Sequence, residues 1–99
     1  MALQLAETAT RKLPDSPEVS DTLGFIYYKK GLFPQAIRVL NSAVEKDGKN
    51  PGFHYHLGLA LAKSGDKAGA TEHLTRALSL KPDFEGAADA RELLKTLGS

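Results

Sequence analysis

Three histidines are the side chains of this sequence best suited to binding a metal ion or carrying a proton. His54 and His56 are two positions apart, so on a helix they point roughly 200° away from each other and cannot share one metal. His73 falls in a different predicted helix. None of the three forms a His-x-x-x-His or His-Glu-x-x-His pattern, which would place two ligands on one helix face. We therefore predict no metal site and no cofactor.

The acidic and hydroxyl residues that could act in catalysis have a simpler interpretation as helix caps. Asp15, Ser16, Asp66 and Asp83 stand where predicted helices begin, and an oxygen side chain there accepts hydrogen bonds from the first backbone N–H groups. The segment 65–69 lacks the spacing of a phosphate-binding loop and follows no strand. Cysteine is absent, which excludes thiolate chemistry. With no nucleophile–base pair and no metal set, the chain is predicted not to be an enzyme.

Composition and charge exclude two further classes of partner. Thirteen basic and twelve acidic residues give a net charge of +1, whereas nucleic-acid-binding modules usually carry a marked basic excess. No apolar run approaches the roughly 20 residues that a membrane-spanning helix needs. Residues 1–10 lack the basic and apolar regions of a signal peptide. We therefore expect a soluble protein that binds no nucleic acid and does not insert directly into a membrane.

Local signals predict that helices position all of these residues. Ser16 and Asn50 each precede a proline, which combines a capping side chain with a residue that suits the first helical position. Gly31 and Gly65 suit the left-handed residue that ends a helix. Apolar residues recur between these marks at spacings of three and four, and no stretch alternates as a strand would. The sequence therefore predicts about six helices and no strand.

The sequence also repeats itself at an offset of 34 residues. Small and apolar residues coincide in order: Pro17 with Pro51, Leu23-Gly24 with Leu57-Gly58, Gly31 with Gly65, Ala36 with Ala70, Leu40 with Leu74, and Ala43 with Ala77. Glycine inside a helix costs about 1 kcal/mol relative to alanine. We therefore expect Gly24 and Gly58 to lie where paired helices approach closely. An ordered recurrence of this kind is typical of stacked helical repeats.

These residues resemble the tetratricopeptide repeat. The pattern is carried by Leu23, Gly24, Tyr27, Gly31, Ala36, Leu40 and Ala43, and then by Leu57, Gly58, Leu61, Gly65, Ala70, Leu74, Ala77 and Pro82. Ser20 and His54 depart from it by replacing an aromatic residue, and Gly48 replaces a proline. The resemblance implies an all-α fold, a right-handed α-solenoid of antiparallel helix pairs. It divides the single domain 1–99 into the second helix of a truncated repeat (1–16), two repeats (17–50 and 51–84) and a capping helix (85–99).

The same resemblance implies a binding surface. In such solenoids the first helices of the pairs line the concave face, and the predicted partner-binding residues there are Asp21, Phe25, Tyr28, Lys29, Tyr55, Leu59 and Lys63. Asp21 and Phe25 occupy positions where chaperone-binding members carry a lysine and an asparagine that clamp a carboxylate. We therefore expect a more apolar ligand than an acidic chaperone C-terminus.

Two functions remain open at this stage. The first is a scaffold that binds a protein or peptide on the concave face, and the second is a structural spacer within a longer array. Segments 56–67 and 88–97 are also similar to bacterial repeat lipoproteins of PEP-CTERM exopolysaccharide systems, which would imply the periplasm or cell envelope rather than the cytoplasm. Residues 2–12 lack a partner helix, so Leu3, Leu5 and Ala6 are expected to lack full cover and to promote self-association.

Overall fold

The computed structural model describes residues 2–98, without the side chain of Ala2, and folds them into six helices with no strand. Met1 and Ser99, which begin and end the first and last predicted segments, lie outside the described residues. The helices are α1 (Ala2–Lys12), α2 (Pro17–Lys29), α3 (Phe33–Lys46), α4 (Pro51–Ser64), α5 (Lys67–Leu80) and α6 (Ala87–Leu97). The prediction of an all-α solenoid is confirmed.

The predicted caps begin three of these helices. Ser16 Oγ accepts a hydrogen bond from the backbone N–H of Val19, and Asn50 Oδ1 accepts from those of Gly52 and Phe53. Asp66 caps α5 in the same way. Each oxygen satisfies a backbone donor that the helix itself leaves unpaired, which typically stabilises the helix by about 1 kcal/mol.

One glycine lies between the two helices of each pair, Gly31 in the first pair and Gly65 in the second. Gly31 and Gly65 have φ angles of 79° and 94°, a left-handed conformation that costs glycine little because it has no Cβ. The chain reverses after each of them, so that α3 packs on α2 and α5 packs on α4. Two antiparallel helix pairs result.

Paired helices approach most closely at the two predicted glycines. A Cβ placed on Gly24 would lie 2.5 Å from Leu40 Cγ, and one on Gly58 would lie 2.8 Å from Leu74 Cγ. Both leucines are completely buried. The hydrogen atom of each glycine therefore makes room for the leucine of the opposite helix.

The pairs stack in order into an elongated body of 40 × 25 × 19 Å. α3 packs on α4 to join the two pairs, α2 also contacts α4, and α1 and α6 cover the two ends. One buried cluster, around Leu40 and Leu57, lies between the pairs, and a second joins α5 to the C-terminal segment around Leu74 and Phe84. The first helices α2 and α4 thus lie side by side.

The beginning of the last helix differs from the prediction. That helix was expected in segment 85–99 with Asp83 as its cap. Instead α6 begins at Ala87 after Gly86, whose φ is 107° and which provides no side-chain cap. Positions 16 and 50 carry the caps of α2 and α4, whereas the equivalent position one repeat later is Phe84. Because the Phe84 side chain is buried against Leu74 and Ala77, it holds the chain in a turn before the helix starts.

The N-terminal end is better covered than predicted. Ala6 is buried and Leu3 is half-buried, so among the three residues expected to lack cover only Leu5 is largely exposed, at 70%. The Tyr27 hydroxyl donates a hydrogen bond to Glu7 Oε2 over 3.0 Å and ties α2 to α1. Leu13, just beyond α1, is 57% exposed.

Candidate interaction face

A hydrogen-bonded pair joins the two first helices. His56 Nδ1 on α4 lies 2.8 Å and 3.0 Å from the two carboxylate oxygens of Asp21 on α2. A carboxylate only accepts, so His56 Nδ1 carries the proton and donates it to this bond. The two side chains are 22% and 14% exposed, which makes the bond largely shielded from water. This contact fixes the orientation of the His56 ring on the face that α2 and α4 share.

Aromatic rings continue from His56 in both directions. Phe25 stacks on His56 with ring centroids 4.1 Å apart, and Tyr28 stacks on Phe25 at 5.7 Å. On the other side Tyr55 lies 5.7 Å from His56 and meets Phe84 edge-on at 5.3 Å. We call these five residues the aromatic row. It crosses from α2 over α4 to the turn before α6.

The predicted partner-binding residues all lie on α2 and α4, but their exposure varies. Lys29 and Lys63 are exposed, whereas the other five, Asp21, Phe25, Tyr28, Tyr55 and Leu59, are half-buried. Lys29 Nζ lies 4.8 Å from the centroid of the Phe25 ring, within the range of a cation–π contact. The aromatic side chains therefore pack partly on one another while keeping part of their surface open.

A groove of about 610 Å³ runs between α4, α2 and the beginning of α6. We call it the α4–α6 groove; it is lined by Phe25, Pro51, Gly52, Tyr55, His56, Lys81, Phe84, Glu85, Gly86 and Asp89. Phe25 and Tyr55 are the only predicted site residues in this lining. Burial, followed by the nearby charge of Asp89, raises the pKa of Tyr55 above its ordinary value. The groove therefore favours the neutral form of this phenol, whose hydroxyl can donate a hydrogen bond.

Sequence reasoning missed part of this lining. His56 was considered only as a metal ligand. Phe84 was assigned to the end of the second repeat, and Glu85 to the capping segment. Asp21 and His56 are 35 positions apart, one more than the repeat. Adjacent positions of successive first helices are neighbours in a stacked array, and this spacing was the signal that could have revealed the pair.

The other two histidines meet on the opposite side of α4. His54 is buried; its Nε2 lies 2.8 Å from the carbonyl oxygen of Gly48, and its Nδ1 lies 3.0 Å from Nδ1 of His73 on α5. The ring centroids are 5.2 Å apart, which is close to the distance between the two nitrogens plus the radii of the two rings. The rings therefore lie edge to edge, with the two Nδ1 atoms facing each other. This is the geometry of a hydrogen bond between two imidazoles.

The direction of these bonds follows from the carbonyl. A carbonyl only accepts, so His54 donates from Nε2 and, when neutral, accepts at Nδ1 from His73. Burial, and then the neighbouring His54, lowers the pKa of His73 below its ordinary value. Within residues 2–98, no group of three or more His, Asp or Glu side chains is arranged to hold a metal ion.

Comparison with known proteins places this geometry in a family. One family model, described as a TPR repeat, matches residues 24–65, and a second, described as a tetratricopeptide repeat, matches residues 51–84. The chain belongs to the tetratricopeptide-repeat family. Tetratricopeptide repeats generally mediate protein–protein interaction or scaffolding. No curated protein matches the sequence significantly.

Among solved structures, the chain is similar to a mutant of the O-GlcNAc transferase of Thermobaculum terrenum. The two share 27% sequence identity with a TM-score of 0.86 over 96% of this chain. The chain corresponds to only 18% of that protein, and the transferase activity belongs to that protein. The similarity to exopolysaccharide-system lipoproteins finds no support here and stays a prediction. Across residues 2–98, no helix is long and apolar enough to cross a membrane.

Proposed function

We propose that this tetratricopeptide-repeat segment binds an extended segment of a partner protein on the face of α2 and α4, and that it catalyses no reaction. The observation that supports the proposal is the aromatic row, in which every ring but that of the buried Phe84 is half-buried. All of its members except Tyr28 line the α4–α6 groove. Aromatic side chains with an apolar body and a polar tip are the usual anchors of protein interfaces. A binding role uses both the open ring surface and the groove.

The His56–Asp21 pair supports the same proposal because it fixes the anchors before any partner arrives. Its bond holds the ring on which Phe25 stacks, 4.1 Å away. Binding then costs less side-chain entropy than it would on a face whose rings had to be ordered when the partner arrived. The proposed face is therefore preorganised.

A structural spacer is the second candidate, and the same rings give it some support. His56 on α4 stacks on Phe25 of α2 and also contacts Tyr55, so part of the row stabilises the stacking of α2 on α4 without any ligand. A spacer would need the row only for this packing. The two functions differ in whether removing the rings changes binding or only stability.

The test is a pair of variants measured against candidate partner peptides. Phe25→Ala/Tyr55→Ala should retain its helical circular dichroism but lose affinity, because truncating a central anchor typically costs about 2 kcal/mol or more. Arg38→Ala changes an exposed residue of α3 and should bind as the parent does. Equal affinities of the parent and the two variants would refute the proposed face. The spacer would be favoured if the parent bound none of the peptides and Phe25→Ala/Tyr55→Ala lost its helicity.

The proposal also includes self-association through α1 and the residue just after it. Leu5 and Leu13 are the exposed large hydrophobic residues of the described chain. α1 contacts α2 on one side. A second copy of the chain, in which the same two leucines are exposed, is the proposed occupant of this end. A periplasmic or envelope location remains a prediction.

A further inference from the structure

The charges around the α4–α6 groove are unequal. Glu85 and Asp89 both belong to its lining, and a third carboxylate, that of Asp21, lies behind the His56 ring. Lys81 is the single ammonium group of the lining. Glu85 and Asp89 are exposed, and neither forms a hydrogen bond or an ion pair through its side chain with any residue of the segment 2–98. The groove is therefore an aromatic cleft with an excess of negative charge.

The aromatic row already accommodates one cation from this chain. Lys29 Nζ lies 4.8 Å from the Phe25 ring centroid, and Lys29 itself is not part of the groove lining. Ring faces attract cations through their electron density, and such contacts also form at exposed sites. The Tyr55 ring, on the groove side, combines such a surface with the nearby charge of Asp89. Both attractions favour a positive group.

We propose that the α4–α6 groove binds a basic side chain of the partner segment, arginine in preference to lysine, against Tyr55 and between the carboxylates of Glu85 and Asp89. This inference rests on the proposed function and specifies the chemistry of the partner. A guanidinium group suits the site better than an ammonium group because it is planar, stacks on aromatic rings and pairs with carboxylates through several donors. The occupant is an arginine, and the Phe25 and Tyr55 rings of the lining favour apolar residues beside it in the partner segment.

The opposite edge of the face carries the opposite charge. Lys29 and Lys63 are exposed near the C-terminal ends of α2 and α4. The Asp21–His56 contact places the N-terminal halves of these parallel helices side by side, so the two lysines share one edge. An acidic group of a partner is attracted to that edge and a basic group to the groove. This asymmetry orients a bound segment across the first helices.

The inference is tested with two capped pentapeptides, Gly-Phe-Arg-Phe-Gly and the same peptide with citrulline in place of arginine. Citrulline keeps the shape of arginine and removes its charge. The peptides are titrated into the isotopically labelled full chain, and amide chemical shifts are followed. We expect the arginine peptide to shift the amides of Tyr55, Gly86 and Asp89 and to bind about five-fold more tightly or better, since an exposed ion pair and a cation–π contact each contribute up to about 1 kcal/mol.

Variants assign the effect to the two carboxylates. Glu85→Gln/Asp89→Asn should reduce the affinity for the arginine peptide about five-fold and leave the citrulline peptide unchanged. Glu45→Gln/Glu72→Gln makes the same change in charge on the second helices and should alter neither affinity. Amide spectra of both variants show whether the fold is retained.

Three results would overturn the inference, and they separate it from the proposed function. Equal binding of both peptides in the groove would leave the interaction face intact but remove its preference for a cation. An unchanged affinity of Glu85→Gln/Asp89→Asn for the arginine peptide would also remove the preference for a cation. Failure of both peptides to give saturable shifts at millimolar concentration would reject the basic anchor, while the Phe25→Ala/Tyr55→Ala comparison would still decide the proposed function.

Discussion

At the scale of single residues, two histidines of α4 form hydrogen bonds to different neighbouring helices. His54 faces α5 and bonds to His73 and Gly48, whereas His56 faces α2 and bonds to Asp21. Their spacing of two residues turns them away from each other on the helix, as predicted from the sequence. All buried polar side-chain atoms of the described residues have a hydrogen-bond partner, so neither ring is stranded in the core. Both histidines link helices.

The histidine pair should make stability depend on pH. Burial and His54 lower the pKa of His73, while Glu72 and Asp66 act in the opposite direction but less strongly. Between the lowered folded-state pKa and the ordinary value of 6.5, the unfolded chain binds more protons, so stability rises with pH in that window. The melting temperature should therefore fall as the pH drops below about 6.5, through the folded-state pKa of His73.

The control for this effect is His73→Asn, whose side-chain amide can still donate a hydrogen bond to His54 but does not titrate. Thermal unfolding followed by circular dichroism between about pH 7.5 and pH 5 spans the range in which histidine titrates. The variant should lose less stability than the parent over this range. A parallel loss in both proteins would show that His73 does not contribute.

At the scale of helices, the repeat is maintained by complementary side-chain sizes. Gly24 receives Leu40, and Gly58 receives Leu74, at the same positions of successive pairs. Each leucine is fully buried, so no free space remains to absorb a larger residue opposite it. Close packing at these points sets the distance between paired helices.

Enlarging one of these glycines should therefore destabilise the chain. Gly58→Leu forces Leu74 and the α5 backbone to move and should cost about 1–3 kcal/mol through overpacking. Gly48→Ala is a control, because its Cβ would meet nothing closer than 3.4 Å. Urea unfolding measures both. A Gly58→Leu protein as stable as the parent would contradict the close approach of α4 and α5.

Sequence patterns predicted the helices better than the contacts between them. The 34-residue offset and the caps at Ser16 and Asn50 predicted where helices begin, because both signals are local or periodic. The predicted start of the last helix was wrong, because the core residue Phe84 stands at the position that carries the capping side chain in α2 and α4. Only the packed structure shows what the Phe84 side chain contacts. The His54–His73 bond was missed for the same reason. The repeat boundaries themselves, 17–50 and 51–84, stay a prediction.

At the scale of the whole molecule, the two ends differ. The C-terminal end is covered by α6, whereas at the N-terminal end Leu5 is 70% exposed on α1 and Leu13 is 57% exposed beyond it. Exposed leucines of this kind can be buried against the same residues of a second copy. We therefore expect copies of this 99-residue chain to self-associate through the surface that carries them, as proposed above.

Sedimentation at increasing concentration measures this association. The parent protein should show a rising weight-average mass, and Leu5→Gln/Leu13→Gln should remain smaller at every concentration because each buried leucine contributes roughly 1.5–3 kcal/mol. A matched change of two surface residues elsewhere, Thr71→Gln/Thr75→Gln on α5, should not alter the association. A parent protein that stays strictly monomeric would rule the idea out.

The central claim is that a partner binds the face shared by α2 and α4, and amide chemical-shift mapping tests it most directly. A candidate partner peptide is titrated into the labelled chain, and each shifted amide is assigned to a helix. The account predicts saturable shifts in residues 21–29 and 52–63 and at the beginning of α6, where the aromatic row and the α4–α6 groove lie. Shifts confined to residues 34–46 and 67–80 of the second helices, with the first helices unchanged, would contradict it.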